Sequence, residues 1–367
     1  MSGVFGQWFL EISIDGTPIL ANPTTVPYIH IINNMHQNLP ILDFAYKDSS
    51  GITDTLRLKD GTSITCSIGV AGGHIYQGLP FRMIGSPKGN PTDSSTGITI
   101  KAVLDNPAYM RKIMDTHVDG TSTALAQKIA GMAGLKFDGD NANDKMVWLP
   151  NRLPLASSLK KHSEKAWASD KSSFIVGVDE SGTLYYKDIE MLGAASATKT
   201  FSSNPSEGHY ISFWSFDAKD QLYNNTKGYG STSIGHKEDG TVDELAKIDM
   251  RSFAGDIGGS FMKNVIGSRG GRVDHLPIQS GNVHDNWNKA IHQNSRIKSM
   301  FSCDLVILTD TPSQVKMFDK VKAIPYDPAT AQPRQTLVGD YIVTAFTRTI
   351  HRNQYYEKIT LTTNTGG

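Results

Sequence analysis

The chain has 367 residues, with 36 basic and 36 acidic side chains that cancel to a formal net charge of zero. So even a balance argues against bulk nucleic-acid binding, which runs on an excess of positive charge, while the length suits two or three domains with ample core. The 34 glycines, many Thr, Ser and Asn residues and short apolar runs point to a β-rich architecture with many turns.

The first strand is expected where Trp8, Leu10, Ile12 and Ile14 alternate with Phe9, Glu11 and Ser13, before the hairpin signal Asp15-Gly16. Tyr28 to Asn33, Leu39 to Tyr46, Ser63 to Val70, Ile75-Tyr76, Leu79 to Ile84 and Ile98 to Leu104 read as further strands separated by turn chemistry. A closed or partly closed β-barrel fits such a series. After Asn106-Pro107 the period changes. Leu125, Ile129, Met132 and Ala133 define a helix that starts at Thr121 and stops at Gly134. A second helix begins at Pro154, with an apolar stripe of Leu155, Leu159 and Ala166. Phe174 to Val178, Asp179 to Gly182 and Leu184 to Tyr186 then read as strand, turn and strand. Tyr210 to Phe216 gives another strand. Residues from about 223 to 281 are rich in Gly, charge and Asn and read as a long loop or arm, with a short helix near Val242 to Ile248.

A helical pattern runs from Asp285 through Trp287 and Ile291 to Met300, followed by a strand from Phe301 to Leu308 and a link bearing Pro312. After a loop with Pro325, Pro328 and Pro333, two runs close the chain, Tyr341 to Ile350 and Tyr355 to Thr363. Their two-residue alternation and the polar link between them predict a hairpin. In the first run Ile342, Phe346 and Ile350 share a parity with the polar Thr344 and Arg348. Antiparallel strands of this kind favour a second small barrel.

Leu337-Val338-Gly339-Asp340-Tyr341-Ile342-Val343 and Tyr356-Glu357-Lys358-Ile359-Thr360-Leu361 resemble the close of phage tail hub proteins, the central baseplate proteins of contractile tails. These are related in fold to the N-terminal hub part of type VI secretion spike proteins. The order of parts is similar too: a barrel, a short helix (Thr121 to Leu135), a second helix (Leu155 to Ala168), a hairpin with a D-x-x-G turn (Phe174 to Asp188), and a closing barrel. The resemblance implies a mainly β fold with an α+β insertion and two small hub-type β-barrel domains. Its expected divisions are 1–105 as the first barrel, completed by 207–225; 106–200 as the insertion; 226–284 as a glycine-rich arm; and 285–367 as helix and strands of the second barrel.

Local motifs offer little chemistry. Asp138-Gly139-Asp140-Asn141-Ala142-Asn143-Asp144 clusters carboxylates as calcium loops do, but lacks the glycine and distal glutamate of an EF-hand, and reads as a solvated loop. Gly255 to Ser260 and Gly267 to Arg272 lack the Lys-Ser/Thr pair of a phosphate loop and read as flexible turns. His275, His284 and His292 lack the i, i+4 spacing of helical metal ligands, and Cys66 and Cys303 read as buried free thiols. No G-x-S-x-G occurs, and no Asp/Glu pair is marked out for glycoside cleavage. Trp8, Trp148, Trp167, Trp214 and Trp287 each sit in or beside an expected element, and most of them read as core aromatics. No catalytic, cofactor-binding or metal residue is assigned.

The resemblance implies a structural baseplate hub, a homotrimer with pseudo-sixfold symmetry that joins the hexameric tail tube to the trimeric spike. Implied partners are the tube or tube-initiator protein, the spike, baseplate wedge proteins and the tape measure, with DNA passing only transiently through a lumen lined by acidic and polar groups. The chain closes soon after its last strand, which favours a phage-like hub whose spike is a separate chain. No signal peptide and no apolar run of ~20 residues is evident, so assembly in the host cytoplasm and a place in the virion are expected. The competing readings are another tail adaptor (a distal tail or tube-initiator protein) and a tail enzyme that cleaves cell wall or polysaccharide.

Overall fold

The computed structural model describes residues 8–19, 21–22, 24–47, 58–89, 97–218, 232–236, 242–245, 273–275, 282–298, 303–351 and 354–363. The chain is mainly β. Its first part holds β1 (Trp8–Ile14), β2 (Thr17–Ile19), β3 (Tyr28–Asn34), β4 (Ile41–Tyr46), β5 (Ser63–Val70), β6 (Ile75–Met83), β7 (Lys88–Gly89) and β8 (Ile98–Leu104). Asp15 and Gly16 both take positive φ, 48° and 79°, so a two-residue turn matched to strand twist joins β1 to β2. The expected breaks between Tyr76 and Leu79 are absent: β6 is one strand, and a register shift opposite Cys66 and Ile68 absorbs the irregularity. Leu10, Ile12, Ile29, Ile31, Phe44, Ile68, Phe81 and Ile100 from these strands meet in one buried core.

Next comes the insertion, with α1 (Pro107–Arg111), β9 (Val118–Gly120), α2 (Ser122–Ala133), β10 (Lys136–Gly139), β11 (Met146–Trp148), α3 (Leu155–Ser163), β12 (Phe174–Val178), β13 (Thr183–Asp188) and α4 (Ile189–Ala194). Thr121 caps α2 by accepting the Ala124 N–H at 3.3 Å, and Gly134 ends it in the left-handed region at φ 70°. The second helix is shorter than its apolar stripe suggests: α3 stops at Ser163, and Ala166 is buried just beyond it. Leu125, Ile129, Trp148, Leu159, Phe174 and Tyr186 form the insertion's own core.

The remaining elements are β14 (Lys199–Ser202), β15 (His209–Tyr210), β16 (Phe213–Ala218), β17 (Thr232–His236), β18 (Val242–Leu245), β19 (Val273–His275), α5 (Trp287–Lys298), β20 (Cys303–Thr309), β21 (Lys320–Ile324), β22 (Gly339–His351) and β23 (Gln354–Thr363). Four expectations are corrected here. First, Tyr210 to Phe216 does not return to the first part: β16 pairs with β20, because Trp214 and Phe216 pack on the core built from Leu305, Ile307, Phe346 and Leu361. Second, this core is not purely antiparallel, since β14 runs parallel to both β21 and β15. Third, the helix expected from Val242 is a strand, β18, paired with β17. Fourth, α5 does not join the closing strands. Trp287 packs against the insertion core, Gln293 donates to the Ser169 and Ser172 carbonyls, and Asn294 donates to those of Glu164 and Ala166.

The closing hairpin is the axle of the arrangement. Ile342 and Phe346 of β22 sit in the core of the later strands, whereas Ile350, with Tyr355 of β23, sits in the core of the first part. Strand β22 pairs with β21 through residues 339–342 and with β3 through 345–351, with a bulge between Val343 and Ala345 that re-aims the strand. At the far edge, residues 209–218 change partner in mid-run. Ile211 N–H donates to Ser202 O of β14 at 2.8 Å, and Ser212 N–H donates to Leu308 O of β20 at 2.9 Å. The strands β14, β21, β22, β23 and β20 are thereby bridged at both ends by one extended segment.

Phe346 is 1% exposed, so Phe346→Ala is expected to cost about 3–5 kcal/mol. A urea titration reads this as a lower midpoint with an unchanged slope; a loss below about 1 kcal/mol would remove the residue from the core.

Candidate functional site

Two charged residues occupy inward-facing rows of the closing hairpin whose other members are uncharged. Arg348 and Glu357 lie directly opposite one another in the β22–β23 register. They are 2% and 0% exposed. Arg348 Nη1 donates to Glu357 Oε1 at 2.6 Å, Nε donates to Glu180 Oε1 at 2.9 Å, and Nη2 lies 2.7 Å from the same Glu180 oxygen. The guanidinium stacks over the Tyr76 ring at 3.6 Å and is 4.6 Å from the Phe346 ring centre. Glu357 also accepts from the Tyr355 hydroxyl at 2.6 Å, the Tyr76 hydroxyl at 3.1 Å, and both the N–H and hydroxyl of Ser313.

Glu180 reaches this junction because its turn is locally determined. Asp179 Oδ1 accepts the Ser181 and Thr183 N–H groups, its Oδ2 accepts the Tyr185 hydroxyl, and Gly182 supplies the positive φ. Asn33 of β3 then holds the Glu180 N–H at 2.9 Å. The junction therefore ties together the first part, the insertion, the 313–315 link and the closing hairpin.

One guanidinium between two carboxylates leaves a charge in excess. Burial pushes both carboxyls up, but at Glu357 the Arg348 guanidinium and the bonds from Ser313 and Tyr355 outweigh it, and the group stays below its ordinary range. At Glu180 burial wins over Arg348, with Asp179 adding to it, and the carboxyl lies above its ordinary range. Glu180 Oε2 has no hydrogen-bond partner among the described residues. Glu357 is thus the true counter-ion, and Glu180 is the member that takes a proton first.

A second polar cluster holds α5 to the insertion. Trp148 is fully buried; the His162 ring meets it edge-on at 5.3 Å, and His284 and Trp287 each lie 6.2 Å away. The His284 ring nitrogen Nε2 bonds the Lys165 carbonyl at 2.9 Å, and Lys165 Nζ sits over Trp287 at 4.5 Å. Asn151 Nδ2 donates to His162 Nε2 at 3.3 Å. Burial, with Lys165 and Lys161 adding to it, pushes His162 down from 6.5 to about 4.

The residues singled out in the sequence fall into place as follows. Asp138 to Asp144 is not merely a solvated loop. Asp144 is 1% exposed and accepts the N–H groups of Ser122 and Trp167, Asp140 accepts that of Asp188, and Lys187 bonds both Asp138 and Asp140. Each carboxylate has a protein partner. Cys66 is a buried free thiol, pushed up to about 12 by burial; the side chains of Cys303, His275 and His292 and both glycine-rich turns lie outside the described residues. Trp148 and Trp167 are core residues, whereas Trp8, Trp214 and Trp287 are half-buried.

An open groove of about 740 Å³ lies where residues 209–218 change partner. Its wall is aromatic: Tyr210 and Phe213 are 43% and 56% exposed, and Trp214 Nε1 donates to Tyr326 O at 3.1 Å beneath the Arg334 guanidinium, 5.5 Å from the indole. Aromatic and arginine side chains on an open wall are the groups that anchor protein interfaces. No helix among the described residues is long and apolar enough to cross a membrane.

No protein-family model matches the sequence, and no curated protein does. Solved structures do match. The tail protein from Neisseria meningitidis MC58 aligns with a TM-score of 0.61 at 11% identity, over 97% of this chain and 96% of that one. The 43 kDa tail protein of prophage MuSo2 from Shewanella oneidensis aligns with a TM-score of 0.55 at 10% identity, over 98% and 97%. A chain of the lidded Francisella PdpA–VgrG complex aligns with a TM-score of 0.50 at 8% identity, over 98% of this chain but 53% of that one. The chain has the fold of the tail proteins, as its resemblance to tail hub proteins implies.

Removing Arg348 strands buried carboxylates, so Arg348→Met is expected to cost about 3–5 kcal/mol in urea unfolding at pH 7, and Glu180→Gln distinctly less. Equal losses from Glu180→Gln and Glu357→Gln would contradict the unequal protonation of the two acids. The neutral His162 is favoured by the fold, so its contribution is complete above pH 6.5 and is lost as the pH falls through about 4. His162→Phe should flatten that acid limb in thermal melts; an unchanged limb would place the titration elsewhere.

Proposed function

We propose that this chain is the central structural hub of a contractile-tail baseplate. The observation that carries the proposal is the end-to-end match to two tail proteins, over 96% and 97% of their own lengths. In this reading the two strand-built cores are two small barrels. Residues 1–105, with the hairpin end near Ile350 and Tyr355, make the first. Residues 199–218 and 303–363 make the second, and the partner change at Ile211-Ser212 supports its closure. Residues 106–200 with α5 form the insertion, and 226–284 an arm.

Three copies, each with two similar barrels, set six units round one axis, so one face meets a hexameric tube or its initiator and the other a trimeric spike. Baseplate wedge proteins and the tape measure are further neighbours. The lumen passes DNA without retaining it, for which a chain of zero net charge is suited. The role is one of binding and symmetry matching, with no catalytic step, in a virion baseplate assembled in the host cytoplasm.

Native mass spectrometry of the purified chain tests this directly. A mass near three times 40.1 kDa is expected. A ring of six copies would instead identify a tube-initiator or distal-tail adaptor, and a strict monomer that stays monomeric with tube and spike proteins added would overturn the hub.

A further inference from the structure

Eight large apolar side chains stand exposed among the described residues, and six of them fall in two patches. Tyr210 and Phe213 belong to the aromatic groove. The other patch lies on the insertion. There β9 and β11 pair with Trp148 opposite Val118, and an isolated antiparallel bridge joins Ile113 to Pro154 further along the same two segments. Trp148 and Val118 turn inward, so the alternate residues turn out: Val147 is 46% exposed and Leu149 67%, while Ile113 at 51% and Met110 of α1 at 37% are exposed on the segment that leads into β9. An outward row of aliphatic side chains on one element, and an open aromatic trough on another, is the pattern of a knob and its hole.

The charges around the two features are opposite. Exposed Arg111, Lys112, Lys145 and Arg152 flank the ribbon against Asp115 and Asp119, four basic groups to two acidic. Glu207 and Asp310 are exposed at the groove rim and Asp327 is part of its lining, with Arg334 in the lining and Lys322 near Glu207, three acidic to two basic. Tyr326 donates to Glu207 at 2.7 Å and Ser212 to Asp310 at 3.0 Å, which fixes those acids at the rim. Zero net charge leaves no long-range self-repulsion between copies.

We infer that the groove receives the insertion ribbon of a second copy of this chain, head to tail. Such a contact is heterologous: each copy offers one knob and one hole, so neither patch satisfies itself and the series ends only by closing into a ring. Aliphatic side chains on an aromatic floor bury the apolar area, and the basic flanks meet the acidic rim, which orients the approach. The inference deepens the hub proposal, on whose trimer it rests, by naming the two surfaces that join one subunit to the next.

Two variants of the full chain test it, Leu149→Asp on the knob and Phe213→Asp in the hole. Both positions are more than half exposed, so melting temperatures near that of the parent chain serve as the folding control. In native mass spectrometry each variant alone should be monomeric while the parent chain is trimeric. Mixed in equal amounts they should form a heterodimer and stop there, since the mixture retains one intact knob and one intact hole. Trimers from both variants, with a trimeric parent, would overturn this interface and leave the hub standing. A parent chain that stays monomeric by itself would overturn this contact, and one that stays monomeric with tube and spike proteins added would overturn the trimer with it.

Discussion

A guanidinium buried between two carboxylates is tolerable only as a complete set. Taking the three charges out of water costs several kcal/mol for each ion, and their attraction offsets that only when geometry and hydrogen bonding are nearly complete. Arg348 meets the condition by drawing partners from four separated stretches: Tyr76, Glu180, the Ser313–Val315 link and Glu357. None of these stretches can shift without stranding a charge. The junction therefore sets how the first strands, the insertion and the closing hairpin stand to one another. Apolar packing alone, which tolerates rearrangement at constant volume, would fix that relation less sharply.

The hairpin itself has two roles because β22 outlasts either core. It pairs with β21 before the bulge at Val343/Ala345 and with β3 after it, and Ile342 and Phe346 serve the later strands while Ile350 serves the first. The two cores are thus built on one shared strand instead of on a linker, and the insertion is locked to that strand through Glu180.

Much of this was legible in the sequence. Local signals named the β1–β2 turn, the Thr121 and Gly134 ends of α2, the Asp179 to Gly182 turn and the closing hairpin, because each depends on residues within a few positions of one another. Strand partnership depends on distant residues. Nothing near Tyr210 to Phe216 says that its neighbour is Cys303–Thr309, and the pattern from Asp285 to Met300 does not reveal that its face of Asn and Gln docks on carbonyls of residues 164–172. The clearest missed sign was present in the hairpin. Arg348 and Glu357 put charges into rows whose other members are uncharged, and a charge in such a row points to a buried partner. Glu180, 168 residues from Arg348 in sequence, carried no such mark. The same separation between local and distant information explains how tail proteins at 10% and 11% identity keep one fold.

The placement of β22 also has a consequence for synthesis. Strand β3 pairs with residues 345–351, about three hundred positions later in the chain. On a ribosome the early strands emerge long before this partner exists, so one flank of β3 keeps its main-chain groups unpaired until residues 345–351 have been made. Late pairing over such a span carries a large loop-closure entropy and slows folding. The first core is therefore finished only once the closing hairpin has emerged and zips into both halves at once, and the nascent chain has to be kept from pairing with its neighbours on the same message until then.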